Sequence, residues 1–249
     1  MSDAAKRPTA AIVIPALNED GNIGDLIAEI RDAVTARDPG VEISRICVVD
    51  NGSTDATAER ACQAGATVVS EPVRGYGRAC FAGMIANDDV DILIYMDGDR
   101  AEVPAELPIV LGPLLSGKAD LVVGSRVLGT AEPGALSIPQ RFGNGVAGKV
   151  IWRLYRVRIT DLGPYRAIHR ADLLALDMQE MTYGWPTEMI ARAARNGLRV
   201  QEVPVTCRRR ATGESKVSGN LMASLKTGWR VFSIIFSVRR YPASSDERD

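Results

Sequence analysis

Short apolar runs rich in β-branched residues alternate with longer stretches of helical spacing through the first half of the chain. Ala11–Ile14, Ile46–Val49, Thr67–Val69, Ile92–Met96 and Leu121–Val123 predict strands, and their unbroken apolar character predicts burial on both faces. Between them, Ile23, Leu26, Ile27, Ile30 and Val34 fall at helical spacing within Asn22–Val34, while Ala56–Ala64 and Arg78–Ala86 are alanine-rich and helix-compatible. Strand and helix repeated in this way predict an α/β fold: a mostly parallel central sheet with right-handed crossovers and helices on both faces. Beyond residue 127 the alternation loosens. Thr130–Pro139 reads as a loop with two prolines, Phe142–Tyr155 and Trp185–Asn196 as helices, and Leu198–Thr206 as a strand. Leu221–Val238 reads as a helix with Leu221, Leu225, Trp229, Phe232 and Phe236 on one stripe and Lys226, Arg230, Arg239 and Arg240 around it.

Ligands of such sheets bind outside the carboxyl ends of the strands. Here those ends are Pro15–Asp20, Asp50–Asp55, Glu71–Gly77, Asp97–Asp99 and Gly124–Arg126, all rich in residue types that bind nucleotides and metals. Asp97-Gly98-Asp99 after an apolar strand places two carboxylates together, with a small residue between them, where a divalent cation would neutralise a diphosphate. A purely geometric Asp-Gly turn is the alternative. At the second strand end a carboxylate and an amide, Asp50 and Asn51, have the chemistry to read a nucleobase and ribose, while Ser53, Thr54 or Asp55 can cap the next helix.

Length and charge refine this picture. The 249 residues, 46% hydrophobic and 24% charged, suit one globular domain over residues 1–240, with 241–249 as a flexible tail. The net charge of −1 hides a split: residues 1–140 carry 11 basic and 21 acidic groups, and residues 141–249 carry 19 basic and 10 acidic. The second half should therefore face something anionic. Four scattered cysteines and a single histidine, His169, offer no metal-ligand spacing, and reduced thiols in the cytoplasm are the expectation. Neither a signal-peptide core nor a spanning segment is expected.

Several ordered motifs resemble the family 2 glycosyltransferases of GT-A fold, closest to the branch of dolichyl-phosphate mannose synthase and the polyprenyl-phosphate glycosyltransferases. Ile12–Glu19 resembles the opening strand and its N-E element, Asp50–Asp55 the D-D/N-G-S-x-D turn, and Asp97–Asp99 the D-x-D. Gly124-Ser125-Arg126 resembles G-S-R, Arg141–Asn144 R-x-x-N, Asp161–Ala167 D-x-G-x-x-R-A, and Arg210–Lys216 R-x-x-G-x-S-K. The likeness runs over roughly residues 10–240. It implies that Pro15, Leu17, Glu19, Asp50, Asn51 and Ser53 hold the nucleoside. Asp97, Gly98 and Asp99 would hold the diphosphate with Mg²⁺ or Mn²⁺, and Gly75 would line the donor's phosphates or sugar. Arg126, Arg141, Arg166, Arg210, Ser215 and Lys216 would face an acceptor phosphate, as guanidinium forks suit phosphate. The donor-binding part would be about 10–126 and the acceptor-binding part about 127–240. Ala101 stands where the branch often has a glutamine that touches the metal.

The activity so implied is metal-dependent, inverting transfer of glucose or mannose from a UDP- or GDP-sugar to a polyprenyl or dolichyl phosphate. Asp97, Asp99, Arg126 and Glu188 are its catalytic candidates. A hydroxyl acceptor, from a small sugar or a glycan, would instead need Asp161 or Glu188 as general base, and a sugar-nucleotide-binding protein without turnover is a third possibility from another class. The Gly75-Tyr76-Gly77 run follows the third strand and lacks a dinucleotide fingerprint. Cys207–Arg240 has eight basic residues against one acid, but no nucleic-acid module accompanies it. With the aromatic stripe, residues 219–240 suit an anionic membrane surface, and packing on the domain or in a homodimer is the competing use.

Overall fold

In the computed structural model, which describes residues 7–210 and 221–239, β1 (Thr9–Ala16), β2 (Glu42–Asp50), β3 (Thr67–Ser70), β4 (Ile92–Tyr95), β5 (Leu121–Ala131), β6 (Arg166–His169) and β7 (Val200–Cys207) form one sheet. Its order is β3-β2-β1-β4-β6-β5-β7. The β1–β2, β1–β4, β2–β3 and β5–β7 pairs are parallel, and β6 runs antiparallel between β4 and β5. The α/β expectation therefore holds, with one inverted strand that four residues inside a motif did not disclose.

Helices α1 (Ile23–Ala36), α2 (Thr57–Gln63), α3 (Tyr76–Ala86), α4 (Leu107–Leu115), α5 (Ile138–Tyr155), α6 (Arg170–Ala175), α7 (Trp185–Arg195) and α8 (Leu221–Val238) cover both faces. Successive strand side chains point to opposite sides. Ile12, Ile14 and Ile94 accordingly meet Leu26, Ile27 and Ile30 of α1 and Leu111 and Leu114 of α4. Val13, Val49 and Tyr95 meet Cys80 and Met84 of α3, Met189 and Ile190 of α7, and Ile235 of α8. Burial of each such side chain contributes roughly 1.5–3 kcal/mol. β1 and β4 are buried as expected, whereas the edge strand β3 has no buried residue.

The second half departs further from its sequence pattern. β5 does not end at Val123; it continues to Ala131 through an irregular register between Ser125 and Thr130, so Gly124–Arg126 lies within the strand. α5 begins within the expected Thr130–Pro139 loop. There the Ser137 hydroxyl accepts from the Gln140 N–H and the Gln140 side chain accepts from the Ser137 N–H, a reciprocal cap. α4 has apolar spacing but contains Pro113, and its helical pattern is masked by that proline and Gly112.

The consequence for function is positional. Tyr95 of β4 and Val123 of β5 both pair with Arg166 at the start of β6. The carboxyl ends of β1, β2 and β4 thus share one rim with the segment that leads into β6.

Candidate active site

Asp97 and Asp99 lie just past β4 on this rim. Asp97 accepts a hydrogen bond from the Tyr76 hydroxyl at 3.0 Å. Asp99, 4% exposed, accepts from the Ala101 N–H at 3.0 Å and pairs with the Arg210 Nε at 2.7 Å. Arg100, directly after Asp99, has φ 62°, a left-handed turn; its guanidinium reaches Asp25 and Glu29 of α1, which holds the strained backbone in place. Burial and the charge of Asp99 push Asp97 up to about 7, against the Tyr76 hydrogen bond and the charges of Arg126 and Arg210. Burial, followed by the charge of Asp97, raises the Tyr76 phenol well above its usual value and keeps it a donor.

Glu102, which the motif reading passed over, is buried in the same group, and one of its oxygens accepts from the Asp97 N–H at 3.3 Å. Burial and then Asp97 and Asp99 raise its pKa well above the carboxylate range. Its sequence signal was a third acid in Asp97-Gly98-Asp99-Arg100-Ala101-Glu102, one place beyond Ala101. Concentrated buried negative charge is the chemistry that suits a divalent cation. Among the described residues no three ligating side chains are set to enclose an ion. Mg²⁺ and Mn²⁺ sites that take two carboxylates and complete their shell with phosphate oxygens and water fit this donor set.

Three separate motifs meet at Asp161, which is fully buried. Its carboxylate accepts from Arg126 Nε at 2.7 Å, Arg126 Nη2 at 2.8 Å, the Arg126 backbone N–H at 2.9 Å and Asn144 Nδ2 at 2.6 Å. Burial pulls the Arg126 pKa down, but the hydrogen bonds and charge of Asp161 outweigh it and hold it above the usual value. Behind them the Glu202 carboxylate accepts from the Thr160 and Asp161 N–H groups, fixing the segment. That anchor has no counterpart among the motifs, since a lone acid within a strand has no local signature.

On the donor side, the side chains are engaged with one another. The Asp50 carboxylate accepts from the Ser53 N–H at 3.1 Å, and the Ser53 hydroxyl accepts from the Asn18 N–H at 3.0 Å. Asn51 donates to the Glu71 and Val73 carbonyls and accepts from the Gly75 N–H at 2.7 Å. The amide expected to read a base here shapes the 71–75 loop. Glu19 accepts from Asn22 Nδ2, and its backbone carbonyl accepts the first N–H groups of α1. Gly98 lies against Pro15, Ala16 and Glu19. Gly75 and Gly77 are not open to a ligand on their Cα side, where a Cβ would run into the carbonyl oxygens of Met181 and Glu180.

Two further expectations change. Arg166 is 1% exposed; it donates to the Pro186 and Gly163 carbonyls, and burial lowers its pKa. It braces the floor of the rim and does not face a binding surface. Glu188, 4% exposed, accepts from the Gln179 N–H at 3.0 Å, the Glu180 N–H at 2.7 Å and Arg192 Nε at 2.8 Å. These contacts make it an organiser of the turn before α7. Glu188→Gln should therefore cost on the order of 3 kcal/mol, because it neutralises one member of a buried ion pair; thermal unfolding measures this. Arg141 is exposed on α5. Ser215 and Lys216 lie outside the described residues.

The aromatic stripe of α8 is not its buried face. Trp229, 78% exposed, and Phe236 face outward and Phe232 is half-buried, while Ile234, Ile235 and Val238 are buried. Leu221 and Leu225 fall where side chains lie outside the described residues. No described helix is long and apolar enough to cross a membrane.

Comparison with known proteins agrees with the motifs. A family model described as glycosyl transferase family 2 matches residues 11–176. An uncharacterized glycosyltransferase of Mycobacterium tuberculosis is 36% identical over 232 residues, covering 89% of this chain and 97% of its own. The undecaprenyl-phosphate mannosyltransferase of Micrococcus luteus is 32% identical over 226 residues, covering 84% of this chain and 88% of its own. Glucosyl-3-phosphoglycerate synthase from M. tuberculosis, solved with Mn²⁺, UDP and phosphoglyceric acid, superposes with a TM-score of 0.73 at 26% identity, covering 96% of this chain and 81% of that one. With its mixed, mostly parallel seven-stranded sheet and its matched motifs, the chain belongs to glycosyltransferase family 2 and has the GT-A fold.

Proposed function

We propose that the protein transfers a hexose from a UDP- or GDP-sugar to a polyprenyl phosphate, with inversion at the anomeric carbon. The observation that carries this reading is the state of the two carboxylates a hydroxyl acceptor would need as a base. Asp161 already accepts four hydrogen bonds and Glu188 is held by two backbone N–H groups and Arg192. A phosphate acceptor is already anionic and needs no base. The undecaprenyl-phosphate relative supports the same acceptor class.

In this reading, an acceptor phosphate oxygen forms the new bond to the anomeric carbon as the bond to the donor diphosphate breaks and its electron pair leaves with the diphosphate. Asp97 and Asp99 would hold Mg²⁺ or Mn²⁺, which when bound neutralises the diphosphate. Arg126, locked by Asp161 with two of its five N–H donors, positions the acceptor. Arg141, Arg210, Ser215 and Lys216 add to the acceptor side. Residues 10–126 would serve the donor and 127–240 the acceptor. Outward Trp229 and Phe236, with exposed Arg230 and Arg239 on the same helix, support seating on the cytoplasmic face of an anionic membrane.

The structural neighbour solved with phosphoglyceric acid favours a second reading, a small-molecule acceptor. Nucleoside diphosphate release from a panel of UDP- and GDP-sugars decides between them. Release should require polyprenyl phosphate in detergent, stop with EDTA and resume with Mg²⁺ or Mn²⁺. Release stimulated by small hydroxyl acceptors and not by the lipid phosphate would refute the main reading.

A further inference from the structure

The start of α3 is finished by a distant part of the chain. Its first-turn N–H groups have no side-chain cap; instead Gly77 donates to the Thr182 carbonyl at 3.2 Å and Arg78 to the Met181 carbonyl at 3.1 Å. The 180–181 backbone approaches closely because residues 75 and 77 lack side chains. Tyr76, between the two glycines, stacks on Tyr183 with centroids 6.4 Å apart and directs its hydroxyl at Asp97. The 180–184 turn is itself fastened twice. Glu180 accepts from Thr182 and, at 2.8 Å, from Arg230 of α8, and its own N–H goes to Glu188. Gly184 lies directly beneath Ile234 of α8, leaving no room for a Cβ.

We propose that Tyr76 is a positioning residue for Asp97, and that the 180–184 turn, braced by Arg230 of α8, sets the placement of Tyr76. The proposal rests on the transferase reading, in which Asp97 is a ligand to the divalent ion. A hydrogen bond to a ligating carboxylate fixes its orientation, and loss of such a partner costs about 10–100-fold in metal affinity or activity. Tyr76 does this from a helix terminus whose own geometry depends on contacts made near α8. The state of that helix is thereby felt at the ion-binding end of the sheet.

Mn²⁺ affinity, measured by electron paramagnetic resonance in the absence and presence of UDP, tests the assignment. Tyr76→Phe should weaken Mn²⁺ binding roughly 10-fold or more, with an unchanged far-ultraviolet spectrum and unchanged affinity for UDP alone. Arg230→Ala should weaken it in the same direction by a smaller factor. Tyr95→Phe is the control, because that buried hydroxyl donates to the Cys80 carbonyl and not to Asp97; it should leave Mn²⁺ affinity unchanged. Equal Mn²⁺ affinity in the wild type and Tyr76→Phe would overturn the assignment while leaving the transferase reading intact, and so would equal losses in Tyr76→Phe and Tyr95→Phe. A wild-type protein that binds no Mn²⁺ even with UDP would sink the metal-dependent reading and the assignment with it.

Discussion

Asp99→Ala is expected to lower sugar transfer by about 10³-fold, equivalent to about 4 kcal/mol of transition-state stabilisation. Asp99 is one of only two carboxylates in the D-x-D, and its neighbours cannot replace it. Ala101 has no ligating atom, and Glu102 is turned toward the Asp97 N–H. The substitution also removes the ion pair with Arg210 at 2.7 Å. The comparison that isolates the effect is Asp89→Ala. Asp89 is also an acid paired with an arginine, Arg45, but its side chain is 56% exposed, and its loss should change turnover less than about two-fold, as for exposed ion pairs generally. Turnover in Asp99→Ala above a tenth of wild type, with Mg²⁺ or Mn²⁺ saturating, would remove Asp99 from the site.

Asp161→Asn is expected to damage stability and activity together. The carboxylate joins three motifs that are far apart in the chain, and an amide in its place cannot accept the Arg126 fork as an anion. Breaking a buried pair by neutralising one partner costs about 3–5 kcal/mol. For a chain of this size that amounts to a fall of roughly 10 °C in Tm. Arg126→Lys separates the two effects. It keeps the positive charge beside Asp161 but loses the bidentate geometry, so the Tm should fall less, while KM for the acceptor rises about 10-fold or more if Arg126 positions that acceptor. A normal KM in Arg126→Lys would assign Arg126 to the structure alone.

The parts of the fold that were legible in the sequence are those with a long local period. β1, β2 and β4 announced themselves as apolar runs, and α1 as a stripe of isoleucines and leucines, because burial selects those residues one by one. β6 was not legible, since Arg166–His169 is short and its placement depends on pairing with β4 and β5, both remote in sequence. α4 was hidden for the opposite reason: its spacing is helical, but Gly112 and Pro113 carry the local signal of a break. In the site, motif order drew attention to the strand ends but could not show which groups were engaged with their own neighbours. Asn51, Arg166 and Glu188 have the right chemistry for ligands, yet each is engaged with backbone groups remote from its motif, whose positions no spacing rule predicts, and Glu188 also with Arg192 one turn along α7. Tyr76 and Glu102 were missed because a tyrosine between glycines and a third acid after a D-x-D have equally good explanations in local geometry.

The inverted strand bears on how this protein can be taken apart. β5 pairs with β6 and β7 and not with β4, so among the described strands its hydrogen-bonded link to the first four runs through β6. A fragment ending at residue 126 would carry the first half of β5 with neither of its partners, leaving an apolar strand with unpaired backbone groups. Chimeras that exchange second halves between relatives at that point would split β5 between two parents and put the seam inside its pairing with β6 and β7. A crossover placed between β4 and β5, within the 97–120 connection, keeps β5, β6 and β7 from one parent and confines the new seam to the β4–β6 pair.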